Sequence, residues 1–94
     1  MSRNALSFVG LAIKEGNGYW SLCPELDVAS QGRTIREAQS MLREAVTGYL
    51  ESCFESNLTY LRPVPVDQDP RRTQSENIVS TFRIRVDLAV KVHG

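Results

Sequence analysis

The chain has little of what specialised protein chemistry usually needs. It holds one histidine, His93, and two cysteines, Cys23 and Cys53, in 94 residues. Two cysteines so far apart make neither a disulfide framework nor a zinc site. They read as small buried hydrophobes in a reducing compartment. A general base needs a positioned partner, and His93, beside the C-terminus, has none in view. Net charge is missing too, because 11 basic residues balance 11 acidic ones. That disfavours a general nucleic-acid binder, which would be basic. It also leaves little repulsion to oppose self-association. No run approaches the roughly 18 apolar residues of a membrane helix. No apolar stretch with a small-residue cleavage site follows Met1-Ser2-Arg3-Asn4. A cytoplasmic protein is expected.

Gatherings of carboxylates and glycines are equally scarce. Gly16-Asn17-Gly18 lacks the following helix of a phosphate loop. Two-metal catalysis needs several converging carboxylates. Asp87 stands instead among Arg83, Arg85 and Lys91, and the first strand has no acid before Glu15. Glu25 and Asp27 sit at a turn, where such residues are ordinary. Neither cysteine stands at a helix N-terminus, where a thiolate would be favoured. No catalytic residue, metal or cofactor is expected, and the chain is not read as an enzyme.

What is present is an ordinary globular composition, 41% hydrophobic and 23% charged, which argues against disorder. Residues 1–94 are expected to form a single domain. Leu6 to Lys14 alternates with apolar residues on both faces, as in a strand covered on both sides or one next to an oligomer contact. Glu15 to Gly18 supplies a hairpin turn. Tyr19 to Cys23 reads as a second strand ended by Pro24, and Asp27 to Gln31 as a short third one. Thr34-Ile35-Arg36-Glu37 fits a capping box, with each side chain expected on the other's backbone N–H. Ile35, Ala38, Leu42, Ala45, Val46, Tyr49, Leu50 and Cys53 then return to one face of a helix. Gly48 lies inside that helix, either for a close approach or as a tolerated surface glycine.

Residues 57–77 read as a long loop, since Pro63, Pro65 and Pro70 exclude a continuous helix or central strand. Loops this long are either functional or pinned by their own apolar residues, here Leu58, Tyr60, Leu61, Val64 and Val66. The last element is a long strand in which Phe82, Ile84, Val86, Leu88, Val90 and Val92 alternate with Thr81, Arg83, Arg85, Asp87, Ala89 and Lys91. An open strand edge invites pairing with another chain. Phe82, Ile84, Val86, Leu88 and Val90 are therefore expected at a homo-oligomer contact, in a dimer or tetramer. Arg71-Arg72 and the Arg83/Arg85 face read as solvated charge. The order β-β-β-α-β gives an α+β fold, one four-stranded mixed sheet with one long helix on one face. A right-handed crossover would bring the last strand in parallel to the first.

The stretch Gly18-Tyr19-Trp20-Ser21-Leu22-Cys23-Pro24-Glu25-Leu26-Asp27, continued by Ser30-Gln31-Gly32-Arg33-Thr34, resembles the HicB-like antitoxin family. The helix that follows, with Glu37-Ala38, Leu42, Glu44-Ala45 and Tyr49-Leu50, fits the same pattern, as does Val79-Ser80-Thr81-Phe82. The resemblance spans roughly Val9 to Glu51. It implies a partial RNase-H-like fold of the order already derived. It also implies a non-catalytic antitoxin that neutralises a small HicA-type toxin, a cleaver of messenger RNA, by direct docking. Glu25, Asp27 and Gln31, with the proline-containing loop, are the residues expected to meet a small basic toxin. Family members often append a DNA-binding domain. No second amphipathic helix follows the last strand here, so DNA binding is not expected without an added domain. The alternative is a solitary oligomeric HicB-like protein with a regulatory or small-ligand-binding role and no toxin.

Overall fold

The computed structural model describes residues 2–90, with side chains from Ala5 to Leu88. Lys91, Val92 and His93 lie outside the described residues. The elements are β1 (Ser2–Glu15), β2 (Gly18–Cys23), β3 (Val28–Gly32), α1 (Ile35–Glu55), α2 (Pro70–Thr73) and β4 (Ile78–Val90). Two single 3-10 turns, Val66–Gln68 and Ser75–Asn77, flank α2. The strands form one sheet in the order β3-β2-β1-β4.

Every neighbouring pair in that sheet is antiparallel. The element order and the single long helix are as expected, but the parallel placement of β4 is overturned. Ser2 pairs with Val90 and Leu11 with Thr81, so β4 runs against β1. The reason lies in the long connection. A short crossover would have started β4 at the end of the sheet where α1 finishes. Residues 56–77 instead carry the chain back along the second face, and β4 starts beside Ile13, near the other end of β1. Val64, within that connection, packs on Leu11, Ile13 and Leu22, and Pro70 is fully buried.

Two apolar clusters follow from strand alternation. On the α1 side, Phe8, Cys23, Ile84, Val86 and Leu88 meet Leu42, Val46 and Leu50, together with Leu26 of the β2–β3 turn. On the other side, Leu11, Ile13 and Leu22 are covered by Trp20, Val64 and Ile78. β1 is thus apolar on both faces because both are covered. The strand contacts expected to serve an oligomer are used differently. Ile84, Val86 and Leu88 are buried under α1 within one copy, and Phe82 is half-buried. The side chain of Val90 lies outside the described residues. What β4 leaves open is the outer edge of its backbone, since it pairs only with β1.

The helix start is held as the sequence indicates. Thr34 Oγ1 accepts from the Glu37 N–H at 3.0 Å. The Glu37 carboxylate reaches the N–H of Arg33, at 3.1 Å, rather than that of Thr34. Gly32 lets this first turn lie against the sheet, because a Cβ there would stand 2.4 Å from the Ala38 nitrogen. Ser21, the one buried polar side chain among the described residues, donates to the Ala38 carbonyl at 2.9 Å. Gly48 faces open space, so it is a tolerated surface glycine.

Candidate partner-binding surface

The β2–β3 turn, the C-terminal end of α1 and residues 57–64 meet at one end of the molecule. β2 ends at Cys23, just before Pro24, and β1 runs on beyond the last pair, Leu11 with Leu22. The Glu25 carboxylate supplies the acceptor the strand lacks, taking the Val9 N–H at 2.8 Å. One of its oxygens is therefore committed to the fold. Leu26 is buried in the core. Asp27 then turns the chain with a left-handed φ of 53°, a conformation that Asp and Asn tolerate better than most residues. Its carboxylate is on the surface.

The connection is fastened to this turn. The Arg62 N–H donates to the Glu25 carbonyl at 3.0 Å, and the Val64 N–H to that of Pro24 at 2.9 Å. The Arg62 guanidinium donates to the carbonyls of Leu26 and Asp27, at 3.2 and 3.3 Å. It also stacks 4.8 Å from the centre of the Tyr49 ring. The Tyr49 hydroxyl donates to the Tyr60 carbonyl at 2.7 Å. Burial pushes the Tyr49 phenol above its ordinary pKa, with Cys53 adding to the effect. One arginine thus ties the turn, α1 and the loop together. Nothing in the sequence singled out Arg62, because an exposed arginine between leucine and proline reads as solvated charge.

α1 ends in a left-handed cap. Asn57 has φ 54°, its N–H donates to the Phe54 carbonyl and that of Leu58 to the Cys53 carbonyl. This is the Schellman arrangement, usually closed by glycine. It brings Phe54, Leu58 and Leu61 around a shallow recess of about 330 Å³.

Gln31, the third expected contact, is not brought to this place. It stands at the far end of β3, paired with Trp20. There it borders a second recess of about 540 Å³ with Tyr19, Trp20, Arg33, Glu37 and Met41. Val28 to Gln31 is about 10 Å along a strand, so Glu25 and Asp27 cannot share one small contact with Gln31.

Among the described residues, no group of three or more His, Cys, Asp or Glu is placed to hold a metal ion. Burial, and to a lesser degree Glu25, pushes the Cys23 thiol up to about 11, which keeps it protonated and unreactive. Asp87 is exposed and lies 3.6 Å from Arg85. No helix among the described residues is long and apolar enough to cross a membrane.

No family model matches the chain. A UPF0150 protein of Synechocystis sp. is 43% identical over 42 residues, which cover 44% of this chain and 58% of that protein. The match thus spans less than two thirds of that relative's length. Among solved structures, the N-terminal domain of the antitoxin HicB of Burkholderia pseudomallei aligns with a TM-score of 0.55 and 19% identity. The alignment covers 93% of this chain and all of that one. The resemblance to the HicB-like family read from Gly18–Thr34 and α1 is borne out, and the fold is that of a HicB N-terminal domain.

Proposed function

We propose that the chain is a non-catalytic protein-binding module of antitoxin type, which neutralises a small, basic, mRNA-cleaving HicA-type toxin by docking on it. The observation that carries this reading is the correspondence of nearly the whole chain to a HicB antitoxin N-terminal domain. The surface is consistent with a protein ligand. It offers an acidic turn and a shallow apolar recess at one end, and no cluster of metal-binding side chains among the described residues. Of the residues expected at the contact, Asp27 is free to meet a basic partner. Glu25 shapes the turn that presents it, and Gln31 lies on a separate surface.

Recovery of the tagged protein from its native cells tests this directly. A small basic protein is expected in near-stoichiometric amount, with RNA-cleaving activity that the present chain suppresses. Asp27→Asn, which suits the left-handed backbone and removes the charge, is expected to slow association more than it speeds dissociation. Recovery of a homo-oligomer alone would remove the antitoxin reading.

That outcome would favour a second reading, a solitary oligomer with a regulatory or small-ligand-binding role. Two observations support it. The outer edge of β4 is free to pair with a second copy, and the 540 Å³ recess beside Gln31 has the size of a small-molecule site. Light scattering on the purified protein would separate a dimer or tetramer from a monomer.

A further inference from the structure

The end of the molecule that carries the acidic turn also carries an apolar surface that its own chain leaves uncovered. Phe54, Leu58 and Leu61 are 40%, 63% and 59% exposed and line the same recess. Exposed apolar residues scattered singly need no explanation. Here half of the exposed large hydrophobics among the described residues meet in one place. The α1 cap fixes them there. In a Schellman end the residue after the left-handed one usually turns back onto the helix, yet Leu58 points largely to solvent.

The charged residues of α1 nearest this surface in the chain have one sign. Glu51 and Glu55 are exposed in the last turn of α1, which has no basic residue. Neither carboxylate forms an ion pair among the described residues. The C-terminal end of the α1 dipole favours cations at the same spot, though the Ser52, Cys53 and Phe54 carbonyls are already taken by the cap. The nearest cation in sequence, Arg62, is held by the Leu26 and Asp27 carbonyls and the Tyr49 ring. An apolar surface beside an acidic helix end complements one kind of ligand and repels two others. An anionic lipid surface would meet like charge. So would the same helix end of a second copy, where Glu51 and Glu55 are exposed without a basic residue, although Arg36 and Arg43 stand exposed nearer the start of α1.

We infer that the C-terminal end of α1 is a docking site for a basic amphipathic helix of a partner protein. Apolar side chains of that helix seat on Phe54, Leu58 and Leu61, and its lysines or arginines pair with Glu51 and Glu55. This deepens the antitoxin reading and rests on it for the identity of the partner, though not for the existence of the surface.

The test uses the isotope-labelled full chain and a synthetic helical peptide, with leucines at i, i+3, i+4 and i+7 and lysines elsewhere. A twin peptide carries glutamates in place of the lysines. The lysine peptide is expected to give saturable NMR shifts confined to residues 51–61. The glutamate twin should bind at least about tenfold more weakly, as should Leu58→Ser and Glu55→Gln with the lysine peptide. Both side chains are exposed, and circular dichroism checks that the variants are folded. In the peptide test, four results would each overturn the inference. These are absent or misplaced shifts, equal binding of the twin, concentration-dependent shifts of 51–61 without peptide, and binding to phosphatidylserine vesicles through the same residues. The two readings fail separately. A native toxin that binds Leu58→Ser as tightly as the parent ends the inference and spares the antitoxin reading. Peptide binding at residues 51–61 with no native toxin does the reverse.

Discussion

Replacing either of two glycines by alanine should change stability in opposite directions. At Gly32, a Cβ would lie 2.4 Å from the Ala38 nitrogen and 2.8 Å from the Glu37 carbonyl carbon. Both atoms are α1 backbone and cannot swing aside, so the first turn of the helix must lift by about 1 Å to reach ordinary contact. That movement strains the buried Ser21–Ala38 bond at 2.9 Å. Overpacking of a tight contact costs about 1–3 kcal/mol, and a buried hydrogen-bonding group left unpaired costs a similar amount. Alanine restricts the unfolded chain and returns about 0.4–1 kcal/mol. The expected net loss for Gly32→Ala is about 2–4 kcal/mol, a large part of the 5–15 typical of a domain. At Gly48 a Cβ meets nothing within 4 Å, and helix propensity alone should raise stability by about 0.5–1 kcal/mol. Urea unfolding followed at 222 nm reads both, as a shift in midpoint at constant slope. A Gly32→Ala protein within about 0.5 kcal/mol of the parent would refute the close seating of α1 on the sheet.

Three further outcomes are expected. Glu25→Ala leaves the Val9 N–H without its acceptor and should cost about 1.5–3 kcal/mol, with faster hydrogen exchange at that amide. Glu25→Gln keeps an oxygen there and should lose less, and equal losses would count against the assigned bond. Cys23, with its thiol pushed up to about 11 by burial, should resist iodoacetamide at pH 8 and react once urea unfolds the chain. Equal rates in the two states would contradict that placement. The Arg71 guanidinium beside Asp69 holds its carboxyl below the usual carboxylate range, so the charged form favours the folded state. That contribution is in place above the ordinary carboxyl pKa of about 4 and is lost as pH falls through the lowered value. Arg71 is half exposed, which limits the effect to under about 1 kcal/mol. Asp69→Asn should flatten the acid limb of stability, and an unchanged limb would reject the coupling.

Much of the fold was legible because it rests on local rules. The Thr34–Glu37 cap, the apolar stripe of α1 and the alternation of β4 each follow from the geometry of one element. The double-sided apolar pattern of β1 correctly signalled a strand covered twice. The sense of β4 was not legible, because it depends on where residues 56–77 carry the chain. The crossover rule holds for connections that return directly to the sheet. Val64 packs on the sheet and Pro70 is buried, but Leu58, Leu61 and Val66 of the same loop stay exposed, so apolar content alone did not give the route. The candidate surface was partly legible. Asp27 lies where the turn chemistry put it. Glu25 was assigned to a partner because its bond to Val9 links segments 16 residues apart in sequence, which no local pattern reveals. Gln31 was grouped with them by sequence proximity that strand length undoes.

The pairing of Ser2 with Val90 governs how the chain comes off the ribosome. β1 emerges first, and its pairing with β2 follows within a few residues. Its other edge must wait for the last strand. Until β4 emerges, β1 offers an open ladder and an apolar strip that α1 covers only in part. Such non-local pairing slows folding and exposes nascent chains to aggregation. A variant with β4 truncated should therefore fail by precipitating rather than by remaining a soluble, less stable monomer. Expression conditions that slow synthesis should lengthen the vulnerable interval instead of shortening it.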